Sequence, residues 1–168
     1  SNLTGKNAKA WLQNLLQRTE APNEEQLAVL KSVVRRCEYE NAVERNSRRR
    51  AQEEEPVRAV VQGLPGVGKS RVIKWVCAFF CEVLGWEHGV QFVCLASQNT
   101  MAALIGGFTL HSWGSIPIDP QLKARRRQQA WVKPDINPMW RKCERLRWIV
   151  IDESSTAAGE IIGALDTN

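Results

Sequence analysis

Apolar residues recur at helical spacing in three segments of the chain. Residues 10–16 carry the pattern of a short amphipathic helix. A second helix begins after Asn23, which is a good N-cap, and Gln26 lies three residues later as in a capping box. A third helical pattern covers residues 71–80, and we expect Gly85 to end that helix.

Three shorter apolar runs have the length and composition of buried strands. They cover residues 57–62, 90–96 and 146–153. A short helix through Ile105, ended by the glycine pair 106–107, follows the second run. Because strands alternate with helices, the pattern predicts an α/β domain with a mainly parallel sheet whose faces carry helices. The pattern does not fix the strand order.

The segment between the first strand run and the third helix fits the phosphate-binding loop G-x-x-x-x-G-K-[ST]. Its residues, with the one that follows, are Gly63, Leu64, Pro65, Gly66, Val67, Gly68, Lys69, Ser70 and Arg71. A strand, a glycine-rich turn and a helix point backbone N–H groups and a helix N-terminus at one anion. Lys69 can reach the β- and γ-phosphates, and the Ser70 hydroxyl can ligate Mg²⁺. The loop therefore predicts binding of ATP with Mg²⁺; the alternative is a glycine-rich turn that binds nothing.

Two carboxylates, Asp152 and Glu153, end the third strand run. Asp152 can hold the Mg²⁺ that bridges the phosphates, directly or through water. Glu153 can then orient and deprotonate the attacking water, so Glu153 and Lys69 are the predicted catalytic residues. An acidic turn after a strand is the alternative, and the phosphate loop earlier in the chain favours the catalytic interpretation. The adjacent pair also favours hydrolysis over small-molecule kinase chemistry.

The net charge of +5 points to an acidic partner, with nucleic acid first among the candidates. The positive charge is concentrated in three runs: residues 48–50, 123–127 and 141–145. Trp113, Trp131 and Trp140 lie among or beside the later runs, and phosphate contacts combined with aromatic stacking hold single strands without reading sequence. In the alternative, the tryptophans are core residues and the arginines keep the surface soluble.

The five cysteines form no C-x-x-C pair, and the two histidines complete no zinc spacing. Cys77 and Cys81 are one helical turn apart, so we expect both to face the core. Free thiols in a core suit a reducing, intracellular compartment. The sequence holds no signal peptide and no apolar run of membrane length, so we expect no membrane partner.

Four features occur in an order that resembles the PIF-type DNA helicases of superfamily one, relatives of the bacterial RecD subunit. They are residues 23–26, the loop at 63–70, the stretch 96–112 with its glycine pair followed by Thr-Leu-His-Ser, and the Asp-Glu pair. The resemblance covers most of the chain from Asn23 onward. The loop and the Asp-Glu pair are generic, whereas the glycine pair followed by Thr-Leu-His-Ser is more specific to the family.

The resemblance implies an ATP-driven, 5′-to-3′ single-strand DNA motor built from two RecA-like domains. Its partners would be single-stranded DNA or a forked duplex, in repair, recombination or telomere maintenance, in the nucleus or in a nucleoid or mitochondrion. It implies that Gln26 reads the adenine and that the stretch from Ser97 to Ser112 touches the DNA strand, with Thr109, His111 and Ser112 as candidate contacts. Trp113 joins these candidates through the stacking argument. The alternatives are a Gln26 that only caps its helix and a His111 that is a core or loop residue.

We expect residues 1–56 to form N-terminal helices with the adenine-side motif and a charged insertion or linker. The run from Gln26 to Gly63 is longer than the family usually has, so residues 35–56 would be the insertion, either a solvated extension of the helix or a mobile linker. Residues 57–168 would form the RecA-like ATPase core. The later helicase motifs and the arginine finger of the second domain do not occur in this sequence. Since such a finger contributes on the order of 10³–10⁵ in rate, we expect this segment alone to hydrolyse ATP poorly. We also expect it to be a monomer. Two rival functions are a phosphate-loop ATPase or kinase unrelated to DNA, and a non-catalytic module that binds nucleotide or DNA.

Overall fold

A computed structural model describes residues 5–45, 57, 59, 61, 66–114 and 141–152 of the chain. The chain divides into two units, Ser1–Trp86 and Glu87–Asn168. This division groups the helix after the phosphate loop with the two N-terminal helices. The two units are defined by packing, whereas the boundary expected after residue 56 divides the chain by function. That boundary stays a prediction.

The described residues of the first unit form three helices, each at a place where the sequence pattern predicts one. They are α1 (Gly5–Leu16), α2 (Glu24–Arg45) and α3 (Lys69–Glu82). The ring of Trp11 on α1 packs edge-on against Phe79 on α3, with 5.4 Å between the ring centroids. The Trp11 Nε1–H also donates to Glu82 Oε2 at 2.7 Å. These two contacts attach α1 to the C-terminal half of α3.

The start of α2 is the predicted capping box. The backbone N–H of Gln26 donates to Asn23 Oδ1 at 2.9 Å, and the backbone N–H of Asn23 donates to Gln26 Oε1 at 3.0 Å. The helix continues to Arg45, so the first half of the charged run 35–56 is helical, with an ion pair between Arg36 and Glu40 at 2.7 Å. Residues 46–56 lie outside the described residues.

The core-facing stripe of α3 corrects the expectation for its two cysteines. The buried residues of α3 are Val72, Trp75, Val76, Phe79 and Phe80. Val76 and Phe80 form one edge of this stripe, and each further position along a helix turns the side chain by about 100°. Cys77 and Cys81 come directly after these two residues, so their side chains point beyond that edge. Cys77 is therefore only half-buried and Cys81 is exposed.

The predicted strand at residues 57–62 is not found in the part of this run that the structure describes. Only Val57, Ala59 and Val61 of this run are described; none lies in a strand, and Val57 and Val61 are 43% and 46% exposed. A β-branched run becomes a strand only where a neighbouring strand accepts its hydrogen bonds and other residues cover its side chains. The three described residues have neither form of support.

The second unit contains a small parallel sheet with helices packed on it, which confirms the α/β class and the parallel strands. Its strands are β1 (Phe92–Ala96), β2 (Phe108–Thr109) and β3 (Trp148–Asp152), in the order β2-β1-β3. All five residues of β1 are buried, as expected for the central strand. The helices α4 (Asn99–Ile105) and α5 (Leu110–Trp113) contact the strands, and Val93, Leu95, Leu110 and Trp113 form a core cluster. No helix in the described part of the chain is long and apolar enough to cross a membrane.

The glycine pair 106–107 joins α4 to β2, and its two members do different things. Gly106 takes a left-handed φ of 67° and ends α4, where the N–H of Gly107 donates to Ala102 O at 2.8 Å. Gly107 lies so close to β1 that a Cβ on it would meet the backbone carbonyl of Cys94. The helix therefore ends where the sequence predicts, and β2 can approach β1 only because residue 107 has no side chain.

His88 supports the central strand through an interaction that requires its neutral form. Its Nε2 accepts a hydrogen bond from the backbone N–H of Cys94 at 3.0 Å, so that nitrogen carries no proton. The ring stacks on Phe108 and meets Phe92 edge-on, each at 5.2 Å between centroids. Burial lowers the pKa of His88 below its ordinary value, which further favours the neutral form.

Acidification should therefore destabilise the second unit through His88. The unfolded chain takes up a proton near the ordinary histidine pKa of about 6.5, whereas the folded chain resists until a lower pH. We expect up to about 1 kcal/mol of stability, the net worth of one hydrogen bond, to be lost as the pH falls from 7.5 to 5. Unfolding in urea across this range measures the loss in the wild type and in His88→Gln, whose amide oxygen can accept the same bond without titrating. Identical pH profiles for the two proteins would contradict this role.

Candidate functional site

The described part of the phosphate loop, residues 66–70, has the backbone geometry that an anion-binding turn requires. Gly66 and Gly68 have φ values of 84° and 86°, a left-handed conformation that residues with a Cβ rarely adopt. Gly68 is the N-cap of α3 and provides no side-chain cap, while its carbonyl accepts from Arg71 N at 3.1 Å and Val72 N at 3.2 Å. The N-terminus of α3 therefore has backbone hydrogen bonds and no side-chain cap. Gly63, Leu64 and Pro65 lie outside the described residues.

The space and charge at this turn bear on whether it can hold an anion. Among the described residues, no atom lies within 4 Å of a Cβ placed on Gly66. The first N–H groups of any α-helix have no acceptor within the helix, and the helix dipole adds positive potential at the same end. Lys69 and Ser70 are the first two residues of α3, and both are half-buried. The residues that begin α3 thus combine backbone N–H groups with a lysine and a serine.

The protein ligands needed for nucleotide-bound Mg²⁺ are few. Among the described residues, no group of three or more His, Cys, Asp or Glu side chains could hold a metal ion. Mg²⁺ that arrives with a nucleotide keeps several waters and is bound by phosphates and one or two protein oxygens. The Ser70 hydroxyl at the start of α3 is a suitable oxygen of this kind.

Gln26 lies against the phosphate loop, although it is far from the loop in sequence. Its side-chain Nε2 donates to the carbonyl of Val67 at 3.1 Å, while its Oε1 remains in the capping box with Asn23. Gln26 therefore does more than cap its helix. Its predicted contact with adenine stays a prediction. The contact with Val67 could not be foreseen, because no local pattern links the two residues.

Arg71, the last residue of the predicted nucleotide set, forms an ion pair with Glu20. Arg71 Nη2 lies 3.1 Å from Glu20 Oε1, and the two side chains are 48% and 70% exposed. Exposed pairs of this kind are screened by water and contribute little to stability. Sequence analysis did not identify Glu20, which carries no motif of its own.

In the second unit, Asp152 ends β3 at the carboxyl edge of the sheet. Asp152 pairs in register with Ala96 of β1, and Ala96 pairs with Thr109 of β2. Residues in register on neighbouring strands project on the same face of the sheet, so Thr109 and Asp152 share a face on either side of a small residue. Asp152 is only 4% exposed. Glu153 lies outside the described residues, so its role as a base stays a prediction.

The residues expected to touch DNA have mainly structural contacts here. Thr109 Oγ1 accepts from the backbone N–H of Ser112 at 3.1 Å, which caps α5; Ser112 is exposed and His111 is half-buried. Trp113 is only 6% exposed and belongs to the core cluster of this unit. The expected stacking of Trp113 on a base is therefore corrected in favour of the alternative, a core tryptophan. Trp131 and Trp140 lie outside the described residues.

A basic segment, residues 141–147, lies beside α5. Lys142 Nζ donates to the carbonyl of Trp113 at 3.1 Å, and Cys143 and Leu146 pack against the core cluster. The four cations of the segment, Arg141, Lys142, Arg145 and Arg147, are exposed. They are the only lysines and arginines among the described residues of the second unit. The run at 123–127 lies outside the described residues.

A comparison with protein-family models, with curated proteins and with solved structures found no match to this chain.

Proposed function

We propose that this chain is an ATP-binding domain of RecA-like fold, and that it serves a PIF-type DNA helicase. The observation that carries the proposal is the turn at 66–70, with two left-handed glycines directly before a helix that begins with Lys69 and Ser70. This combination places backbone N–H groups and a positive side chain at one point, as a polyphosphate requires. A turn that binds nothing has no need of both left-handed glycines next to a lysine and a hydroxyl.

Each residue of the turn has a defined task in this proposal. Gly66 lets the backbone approach the phosphates, and the first N–H groups of α3 donate to their oxygens. Lys69 neutralises charge on the β- and γ-phosphates, and Ser70 holds Mg²⁺ through its hydroxyl. The bound Mg²⁺ would offset the negative charge that builds up on the phosphates during transfer.

The roles assigned to the carboxylates come from the sequence pattern. Asp152 serves as the second protein oxygen for Mg²⁺, and Glu153 orients the attacking water and accepts its proton. The position of Asp152 at the carboxyl edge of a parallel sheet supports this assignment, because ligands of open α/β sheets bind at that edge. The parallel crossover from β1 through α4 to β2 is likewise compatible with a RecA-like domain.

For DNA, the exposed basic segment is a better candidate contact than Trp113. The basic segment is exposed, whereas Trp113 is buried. Exposed cations bind a strand through its phosphates, with little sequence preference and with a strong dependence on salt. We therefore propose the basic segment as the contact for single-stranded DNA in this unit.

Neutralising two cations of the basic segment should flatten the salt dependence of DNA binding. Each phosphate contact on a single strand contributes roughly 0.7 to the slope of log affinity against log salt. The double change Arg141→Gln with Arg145→Gln should thus reduce the slope by roughly 1.4. Anisotropy of a labelled oligonucleotide across a salt series measures it.

The matched control is Lys31→Gln with Arg35→Gln, which removes the same charge from exposed positions on α2. This control should leave the slope unchanged. Equal slopes for the wild type and the basic-segment variant would show that Arg141 and Arg145 do not contact DNA phosphates. Equal flattening in both variants would show that only net charge matters.

The proposed function is tested by ATP hydrolysis with and without single-stranded DNA, measured on this chain together with the second RecA-like domain that supplies the arginine finger. A DNA motor turns over ATP faster when the strand is present, whereas an ATPase or kinase unrelated to DNA does not respond. A non-catalytic module binds Mg–ATP without turnover. Failure of Mg–ATP to bind at all would overturn the proposal at its first step.

A further inference from the structure

We infer that Gln26 is a positioning residue of the phosphate loop: its amide holds the carbonyl of Val67 and thereby aims the N–H of Gly68 at the phosphates. The inference rests on the proposed function in taking the loop ligand to be a polyphosphate. It differs from the reading of adenine that the family resemblance implies, since the Gln26 amide acts here through the loop backbone and touches no base.

The orientation of the Gln26 amide is fixed at both ends. Its Oε1 accepts from the backbone N–H of Asn23 at 3.0 Å, and its Nε2 donates to Val67 O at 3.1 Å. Reversing the amide would place Nε2 against an N–H group and Oε1 against a carbonyl, so both hydrogen bonds would be lost. The capping box at the start of α2 thus determines which atom of Gln26 faces the loop.

The hydrogen bond to Val67 determines where the next N–H points. The carbonyl of Val67 and the N–H of Gly68 belong to one planar trans peptide unit, so they point in opposite directions. The left-handed glycine Gly68 follows this peptide unit, and the left-handed glycine Gly66 lies directly before Val67. Glycines give the backbone its greatest freedom, so a peptide in this position can rotate unless its carbonyl is held. Holding the carbonyl towards α2 turns the N–H away from α2.

Gly68 also makes room for the Gln26 amide. A Cβ on Gly68 would lie 2.7 Å from Gln26 Nε2. A side chain at this position would therefore displace the amide as well as strain a φ of 86°. Because Gly68 has no side chain, the Gln26 amide has room to donate to the carbonyl of Val67.

The two roles for Gln26 predict different dependence on the ligand. A residue that reads adenine affects ATP alone, whereas a residue that orients the loop affects every ligand with a phosphate chain. Binding of Mg–ATP, Mg–CTP and Mg–tripolyphosphate is therefore measured by calorimetry for the wild type and for Gln26→Met, which keeps the length of the side chain without its polar atoms. We expect affinity for all three to fall by the same factor, about three- to tenfold, as for one net hydrogen bond.

Asn23→Ala is the matched control. It removes the Oδ1 cap of α2 but leaves the backbone N–H that anchors Gln26 Oε1. Its affinities should stay within about twofold of the wild type, since the bond to Val67 remains. If Gln26→Met lowers the affinity for Mg–ATP alone, the inference is overturned and Gln26 reads the base. If Asn23→Ala lowers the three affinities as much as Gln26→Met does, the inference is also overturned, because loss of the helix cap then explains the effect.

A measurement without ligand separates this inference from the proposed function. The NMR order parameter of the Gly68 amide should be lower in Gln26→Met than in the wild type, because a peptide whose carbonyl is released moves more freely, and it should be unchanged in Asn23→Ala. Should the wild type bind none of the three ligands, the proposed function fails, and this order parameter still decides whether Gln26 holds the loop. An unchanged order parameter in Gln26→Met would overturn the inference.

Discussion

Replacing Lys69 with alanine should weaken Mg–ATP binding by about a hundredfold or more. The change removes the only side-chain charge within the described loop, residues 66–70, and with it one or two charge-assisted hydrogen bonds to the phosphates. Each such bond is worth about 1.5–3 kcal/mol, and about 1.4 kcal/mol corresponds to a tenfold change in affinity. Titration of a fluorescent ATP analogue measures the effect directly.

Lys74→Ala is the control for Lys69→Ala, because Lys74 is an exposed lysine on the same helix, about one turn further on. It removes the same charge and should change affinity by less than about threefold, since a solvated charge at that distance is largely screened. Unchanged affinity in Lys69→Ala would contradict the assignment of the loop as a nucleotide-binding site. A similar loss in both variants would mean that the helix attracts anions only through its overall charge.

The helices of the first unit could be predicted because their signals are local. The apolar spacing of α1 and α3 and the capping box of α2 each lie within a few residues, and the structure contains all three helices. The reciprocal hydrogen bonds between Asn23 and Gln26 form a capping box, which marks a helix N-terminus from residues close together in sequence. Such features depend little on the rest of the chain, so a pattern read from the sequence is sufficient.

The errors share a different cause, which is dependence on partners distant in sequence. Residues 57, 59 and 61 come from a run with the composition of a strand, but composition cannot supply a neighbouring strand. Trp113 lies between basic runs in the sequence, and only the packing of Leu110, Val93 and Leu95 places it in the core. The bond from Gln26 to Val67 joins two residues that are both recognisable in the sequence, yet nothing local indicates that they meet.

The structure also gives a packing reason for the most family-specific part of the resemblance. Gly106 ends α4, Gly107 allows β2 to approach β1, and Thr109 caps α5. Three of the residues that resemble the helicase motif thus build the connection from β1 to α5. They hold Thr109 in register with Ala96, at the edge of the sheet where Asp152 lies. The motif therefore has a structural role whether or not its residues touch DNA.

Replacing Gly107 with alanine should destabilise the second unit by about 3 kcal/mol or more, the range of severe overpacking in a core. A Cβ at this position would meet the carbonyl oxygen of Cys94 and lie 2.8 Å from its carbonyl carbon. Those atoms belong to the backbone of the central strand, which is held by β2 and β3 and cannot move aside without loosening both pairings.

Its neighbour Gly106 is the matched control, because it tests left-handed strain without a clash. Gly106 has a φ of 67°, and a Cβ on it would meet nothing within 4 Å. Gly106→Ala should therefore cost only about 1–2 kcal/mol, the energy of a left-handed conformation for a residue with a Cβ. Amide exchange in β1 measures both variants, and it remains valid if the two units unfold separately. If Gly107→Ala costs no more than Gly106→Ala, the close approach of β2 to β1 at Cys94 is not what requires a glycine at position 107.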